Sequence, residues 1–367
     1  MDSQQPSPSA ADVVTQERNR RSKTQRRRLQ TYLPEMATFE RLMRDAPATV
    51  RCEVLERVAV RNLELPLYAV SLGSQDPKAP VLFLVGGVHG LERIGAQVVL
   101  AYLQSVVSRL QWDEGFARIL ESVRLVSIPL LNPGGMYLNQ RANPQGVDLM
   151  RNAPIKAQDE TAFLLGGQRF SRHLPWYTGH PESGLEAESQ ALKRLIARAI
   201  GQCKFALSLD CHSGFGFKDQ LWFPYAYRRR PMRRIASVMA LKLLWERTYP
   251  NHNYLFEPQS ANYLTHGDLW DFFYKQYNRT PITFIPLTLE MGSWRWVRKR
   301  PRQLFTLQGL FNPLVPHRHE RVLRRHLVLL DFLLQATMNY RNWVPDPERA
   351  RELRQMALTL WYDGVRS

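Results

Sequence analysis

Apolar positions along this chain fall into two recurring registers. From Thr38 to Asp45 they recur at helical spacing, and Ala46-Pro47 closes that segment. CEVLERVAV (52–60) and LPLYAVSLG (65–73) are β-rich and flank the polar pair Arg61-Asn62, which predicts an antiparallel pair at a sheet edge. APVLFLVGG (79–87) is a continuous apolar run closed by two glycines. VRLVSIPLLNP (123–133), FALSLDCHSG (205–214) and TFIPLTLEMGS (283–293) read as further buried strands. Between them RIGAQVVLAYLQSVVSRL (93–110) and LEAESQALKRLIARAIG (185–201) have helical spacing, and LRRHLVLLDFLLQATMNYRNW (323–343) predicts a long packing helix. Strands apolar on both faces and alternating with helices define an α/β fold: a mixed, mostly parallel central sheet flanked by helices on both faces. A flexible basic arm over residues 1–30, a single domain over 31–345 and a tail segment over 346–367 complete the expected organisation.

Composition narrows the class. The chain has 367 residues, 44% of them hydrophobic and 23% charged, which suits a globular protein with a sizeable core. No stretch approaches the roughly 20 apolar residues of a membrane span. MDSQQPSPSAADVV has no apolar segment of a secretory leader, and three cysteines give no disulfide framework, so cytoplasmic residence is the expectation. The net charge of +17 stands apart. It is gathered in ERNRRSKTQRRR (17–28), RRRPMRR (228–234), RWVRKRPR (295–302) and RHERVLRRH (318–326). Such runs fit an acidic partner or plain solvated faces. No nucleic-acid motif and no regular stacking aromatics accompany them, so the charge alone does not define a nucleic-acid protein.

The candidate chemistry lies at one edge of the predicted sheet. His89 and Glu92 follow the first buried strand in GGVHGLE, Asn132 follows the second, His212 closes the third and Glu290 the fourth. In open α/β sheets ligands bind beyond the carboxyl ends of the strands. Catalytic zinc sites use three protein ligands and keep a fourth position open, and two histidines with a glutamate form one such set. Gly86, Gly87 and Gly90 allow the tight bend that turns His89 and Glu92 toward one point, with His212 as third ligand. Singly, His212 reads as a core histidine and Glu92 as a helix-start acid; together they read as a site. Asp210, two before His212, either orients that histidine or pairs with an arginine. Cys211 points the other way and reads as a small buried residue. Glu290 in TLEMGS is placed to act as general base, and Arg141 or Arg151 to stabilise an oxyanion.

HGLE, NPGG, RANPQGVDLMRN, a strand ending in His212 and TLEMG follow one another in an order that resembles the zinc metallocarboxypeptidases of the carboxypeptidase A type. The likeness runs from about 52 to 335 and implies a carboxypeptidase-like (phosphorylase/hydrolase-like) architecture, with 31–345 as the zinc-hydrolase domain. It implies one Zn2+ on His89, Glu92 and His212, the His2Glu set known for carboxypeptidase A. It implies Glu290 as base, Arg141 polarising the scissile carbonyl and Arg151 clamping the substrate's terminal carboxylate. Tyr263 falls near the family's mobile tyrosine, one residue out of register. WYTGHPESGLEAES (176–189) is similar to the loop and helix start before the third ligand. Two positions depart from the pattern. Met150 stands where the family has an asparagine that helps hold the terminal carboxylate, and Gly134 stands for the aspartate of its NPDG turn.

Three functions fit these features. The first is a zinc-dependent hydrolase of peptide bonds, probing peptides that the basic runs can select for acidity. The second is an N-acyl amino acid deacylase of the aspartoacylase and succinylglutamate desuccinylase type, whose third ligand generally lies closer to the first pair than His212 lies to Glu92. The third is a catalytically weak binding protein for acidic polymers or nucleic acid. Asp268 and Leu269 are nominated for the side-chain pocket.

Overall fold

The computed structural model describes residues 8–252 and 254–363. Its strands are β1 (Arg51–Val60), β2 (Leu63–Gly73), β3 (Val81–Gly86), β4 (Arg124–Ile128), β5 (Phe205–Ser213), β6 (Gln220–Phe223), β7 (Leu255–Pro258) and β8 (Thr283–Met291). They form one sheet in the order β1-β2-β4-β3-β5-β8-β6-β7. The four inner strands β4, β3, β5 and β8 run parallel. β1 and β2 form the antiparallel pair at one edge, and Arg61 takes the positive φ that their tight connection requires. Every residue of β3 and of β5 is buried, so both faces of the sheet centre are covered.

The helices are α1 (Ala10–Asn19), α2 (Lys23–Tyr32), α3 (Pro34–Arg44), α4 (Arg93–Arg109), α5 (Glu114–Glu121), α6 (Pro133–Leu138), α7 (Ala187–Ile200), α8 (Ile235–Thr248), α9 (Leu269–Tyr277), α10 (Trp294–Lys299), α11 (Leu307–Phe311), α12 (Pro316–Met338) and α13 (Pro347–Tyr362). α4 and α12 pack on each other and on β3 and β5. No described helix is long and apolar enough to cross a membrane.

Both ends of the chain are helical among the described residues. Within residues 1–30, expected as a flexible arm, lie α1 and most of α2, each opened by a capping box: Ser9 with Asp12, and Ser22 with Gln25. Val14 and Leu29 enter the core, and Arg21 and Glu17 pair with Glu40 and Arg57 at 2.8 and 2.6 Å. Residues 1–7 of that arm lie outside the described residues. The tail 346–367 carries α13, which packs on α8; Leu353 and Ala357 are buried, and the Trp361 indole donates to the Phe256 carbonyl at 2.7 Å. The helix expected from Thr38 begins at Pro34, whose fixed φ suits a first helical position. β4 ends at Ile128 and the chain re-enters helix at Pro133, the N1 residue of α6.

Candidate active site

β3 ends in the turn that carries the first two candidate ligands. Gly87 adopts φ +65°, and a Cβ on Gly90 would lie 2.2 Å from the Gly135 carbonyl carbon, so only glycine lets the two segments approach. The turn delivers Glu92 to the N-cap of α4 and His89 just before it. On β5 His212 stands opposite Glu290 of the adjoining strand β8 in the parallel register. His89, Glu92 and His212 thereby present ligand atoms within 4.8 Å of one another, all of them buried.

The two imidazoles face inward through Nδ1. His89 Nδ1 lies 2.8 Å from Glu92 Oε1, His212 Nδ1 lies 3.0 Å from Glu92 Oε2, and the two Nδ1 atoms are 3.2 Å apart. Their outer nitrogens are each held by an aspartate: His89 Nε2 by Asp148 at 3.0 Å and His212 Nε2 by Asp210 at 2.7 Å. Asp210 therefore orients the histidine and meets no arginine among the described residues; it also accepts from the Trp270 indole at 2.7 Å. Asp148 is a residue that sequence reasoning missed, although it sits in the quoted GVDLMRN segment. Alternation from His212 exposed Asp210, whereas nothing local ties Asp148 to a histidine 59 positions earlier. Asn132 caps α6 through Gly135 N at 2.7 Å and donates to the Val88 carbonyl, which braces the ligand turn.

Charge in this buried group is balanced by proximity. Burial raises the Glu92 carboxyl, but His89 and His212 outweigh it and hold it well below the usual range. Burial likewise opposes ionisation of Asp148, and Arg141 and His89 outweigh it. Burial lowers His212, yet Asp210 and Glu92 hold it well above an ordinary histidine. Glu290 goes the other way: burial first, then the Glu92 charge, push it up to about 8, with His212 and Arg141 pulling against them. Its Oε2 is buried without a hydrogen-bond partner.

Beside this cluster lies a cavity of about 890 Å3 lined by Glu92, Arg141, Asp148, Tyr263 and Glu290, with Arg172 to Trp176, Phe215, Leu307, Leu310 and Phe311 on its walls. Arg141 spans Asp148 and Glu92 through Nε and Nη1 at 2.9 and 3.0 Å. Nη2 makes no hydrogen bond among the described residues. Tyr263 lies in the wall against Phe215 and Trp222, so the one-residue spacing difference does not remove it from the cavity.

Arg151 is placed differently from Arg141. It is buried beside the cavity, 6.0 Å from the Tyr263 ring, and makes only long contacts to the Met150 and Leu165 carbonyls at 3.4 and 3.5 Å. Its Nε has no partner. Met150 beside it is buried. Neither Asp268 nor Leu269 lines the cavity: Asp268 caps α9 through Asp271 N at 2.9 Å, and Leu269 is core.

The fold and this histidine–glutamate–histidine cluster define a metallohydrolase-like α/β protein. The sequence model of the zinc carboxypeptidase family matches residues 39–297, and the chain belongs to that family. It is 25% identical over 222 residues to the human carboxypeptidase N catalytic chain, covering 55% of this chain and 46% of the relative. It is 28% identical over 122 residues to carboxypeptidase SOL1 of Arabidopsis thaliana, covering 32% and 24%. The chain thus spans less than half the length of these curated relatives. Its fold is that of thrombin activatable fibrinolysis inhibitor, with a TM-score of 0.61 at 19% identity over 85% of this chain and 74% of that one. Carboxypeptidase A of Helicoverpa armigera gives 0.59 at 15% identity over 91% and 77%.

Proposed function

We propose that this chain is a zinc-dependent peptidase of the carboxypeptidase type, with one Zn2+ held by His89, Glu92 and His212. The observation that carries the reading is the meeting of these three donors within 4.8 Å of one another, with Glu92, Arg141 and Glu290 also lining one 890 Å3 cavity. The donor set fits the ion: two Nδ1 atoms 3.2 Å apart point at a common centre, and each ring is fixed from behind by an aspartate. When bound, zinc supplies a Lewis acid that acidifies water and polarises a carbonyl.

The chain's own residues supply the rest. Glu290, buried with one free oxygen, takes a proton from the attacking water and returns it to the leaving amine. A nearby divalent cation brings its pKa down from about 8 toward the range a base needs. Arg141 Nη2 faces the oxygen on which charge develops, while Asp148 and Glu92 hold its other nitrogens. Arg151 keeps donors to spare beneath the cavity wall and receives the substrate carboxylate, with Tyr263 beside it. The cavity wall carries Arg172 away from Glu92, Asp148 and Glu290, and the net charge of +17 adds a positive field around it, which supports acidic peptides as substrates.

The test compares zinc-loaded wild type with Glu290→Gln on N-blocked peptides. We expect kcat to fall by about 10²–10⁴-fold with zinc retained; equal rates would overturn the assignment of the base. N-acyl amino acid deacylation is the second reading: such substrates carry the same α-carboxylate beside the scissile amide, so Met150 and Arg151, both outside the cavity lining, do not separate the two. A parallel N-acyl amino acid panel separates the two by which class is hydrolysed faster.

A further inference from the structure

α1 and α2 lie wholly before the residues that match the family, and with α3 they enclose a cavity of their own, about 340 Å3 in volume. Five arginines line it: Arg18 and Arg21 from α1 and its end, Arg26 from α2, and Arg41 and Arg44 from α3. Glu40 is the single carboxylate among the lining residues, and it is already engaged. It accepts from Arg21 Nη2 at 2.8 Å and from the Tyr68 hydroxyl at 3.0 Å. Arg21 and Glu40 are both buried, so this pair is a fixed floor.

The other four arginines make no ion pair among the described residues; the carboxylates nearby serve Arg20, Arg21 and Arg57. Arg18 and Arg26 are half-buried, where water screens their mutual repulsion less. Arg41 and Arg44 are exposed; four guanidiniums without an ion-pair partner thus line one cavity from three helices, and an anion among them would relieve their mutual repulsion. Guanidinium forks match the several oxygens of a phosphoryl group in bidentate fashion. The volume lies at the lower end of small-molecule sites, roughly 300–1,000 Å3. No aromatic side chain lines it to stack on a base.

We propose that this cavity binds a small anion of linked phosphoryl groups, of the pyrophosphate type, independently of hydrolysis at the metal site. A second basic cavity, about 200 Å3 between α10 and α12, serves as internal control. There Asp219 takes up Arg295 and Arg325, at 3.2 and 2.5 Å, while Arg318 and Arg321 make no ion pair among the described residues, so substituting them tests whether unpaired arginines alone suffice in a smaller cavity.

The experiment is calorimetric titration of the full chain with sodium pyrophosphate at constant ionic strength, with orthophosphate, citrate and a short RNA as comparison arms. We expect one saturable site for pyrophosphate that orthophosphate and citrate fill more weakly. Arg41→Gln/Arg44→Gln should weaken it by at least about ten-fold, and Arg318→Gln/Arg321→Gln should leave it unchanged. Both pairs of substitutions are on helix surfaces, and a pyrophosphate-induced rise in Tm should be present in wild type and the second pair but absent in the first. Absence of saturable binding, loss with the Arg318/Arg321 pair, or citrate binding as tightly as pyrophosphate would each overturn the proposal. So would RNA binding more tightly than pyrophosphate and losing affinity in the Arg41/Arg44 variant, which would assign the cavity to a nucleic acid.

Discussion

Asp148 accepts from both His89 Nε2 and Arg141 Nε, so one buried carboxylate orients a candidate ligand and a candidate oxyanion donor together. Asp148→Asn keeps the shape but loses the charge, and zinc affinity should fall about 10–100-fold, measured by competition with a chromogenic chelator. Asp210→Asn should act through His212 to a similar extent. Glu188, buried at the start of α7, offers a check on stability rather than chemistry. Burial pushes its carboxyl up to about 7, with the Glu186 charge adding to it and the 3.4 Å contact from Asn143 opposing it. The folded chain then holds this proton more tightly than the unfolded chain, so stability falls as pH rises from about 4.5 to 7. Glu188→Gln should be more stable than wild type at pH 8, by up to about 3 kcal/mol, with the difference closing below about pH 4.5 in urea melts. Of these residues, HGLE and the strand-end positions of His212 and Glu290 were legible because alternation and strand ends fix them. Asp148 was not, because its partners come from 59 positions earlier and seven before.

At the scale of elements, the inner strands declared themselves through continuous apolar runs, and their parallel register sets His212 against Glu290. β6 and β7 are four residues each, too short for a periodic signal, and they went unread. The N-terminal helices were hidden for another reason. Their polar faces dominate the composition, and the core takes only a few positions such as Val14 and Leu29. The readable signal was capping: Ser9-x-x-Asp12 and Ser22-x-x-Gln25 mark two helix starts. Leu29→Ala tests the folded state of this segment directly. A packed α2 should cost about 2–5 kcal/mol in denaturant midpoint analysis, whereas a solvated arm would cost almost nothing. Arg93, next to Glu92, ties these helices to the site by donating to Glu35 Oε2 and to the Tyr32 and Met136 carbonyls at 2.6, 2.6 and 2.7 Å.

For the whole molecule, the charge of +17 resolves into located features: arginines around the α1–α3 cavity, a second basic cavity beside α12, and Arg172 in the wall above Glu290. Sequence showed the runs but not which of them meet, since that depends on how α1, α2 and α3 stack. Under the proposed function, these side chains and zinc together cleave peptide bonds. Release of the C-terminal amino acid from a panel of N-blocked peptides, followed for zinc-loaded wild type before and after chelation, tests it most directly. We expect release that chelation abolishes and added zinc restores. A chain that holds one zinc and releases no amino acid from any peptide would contradict it.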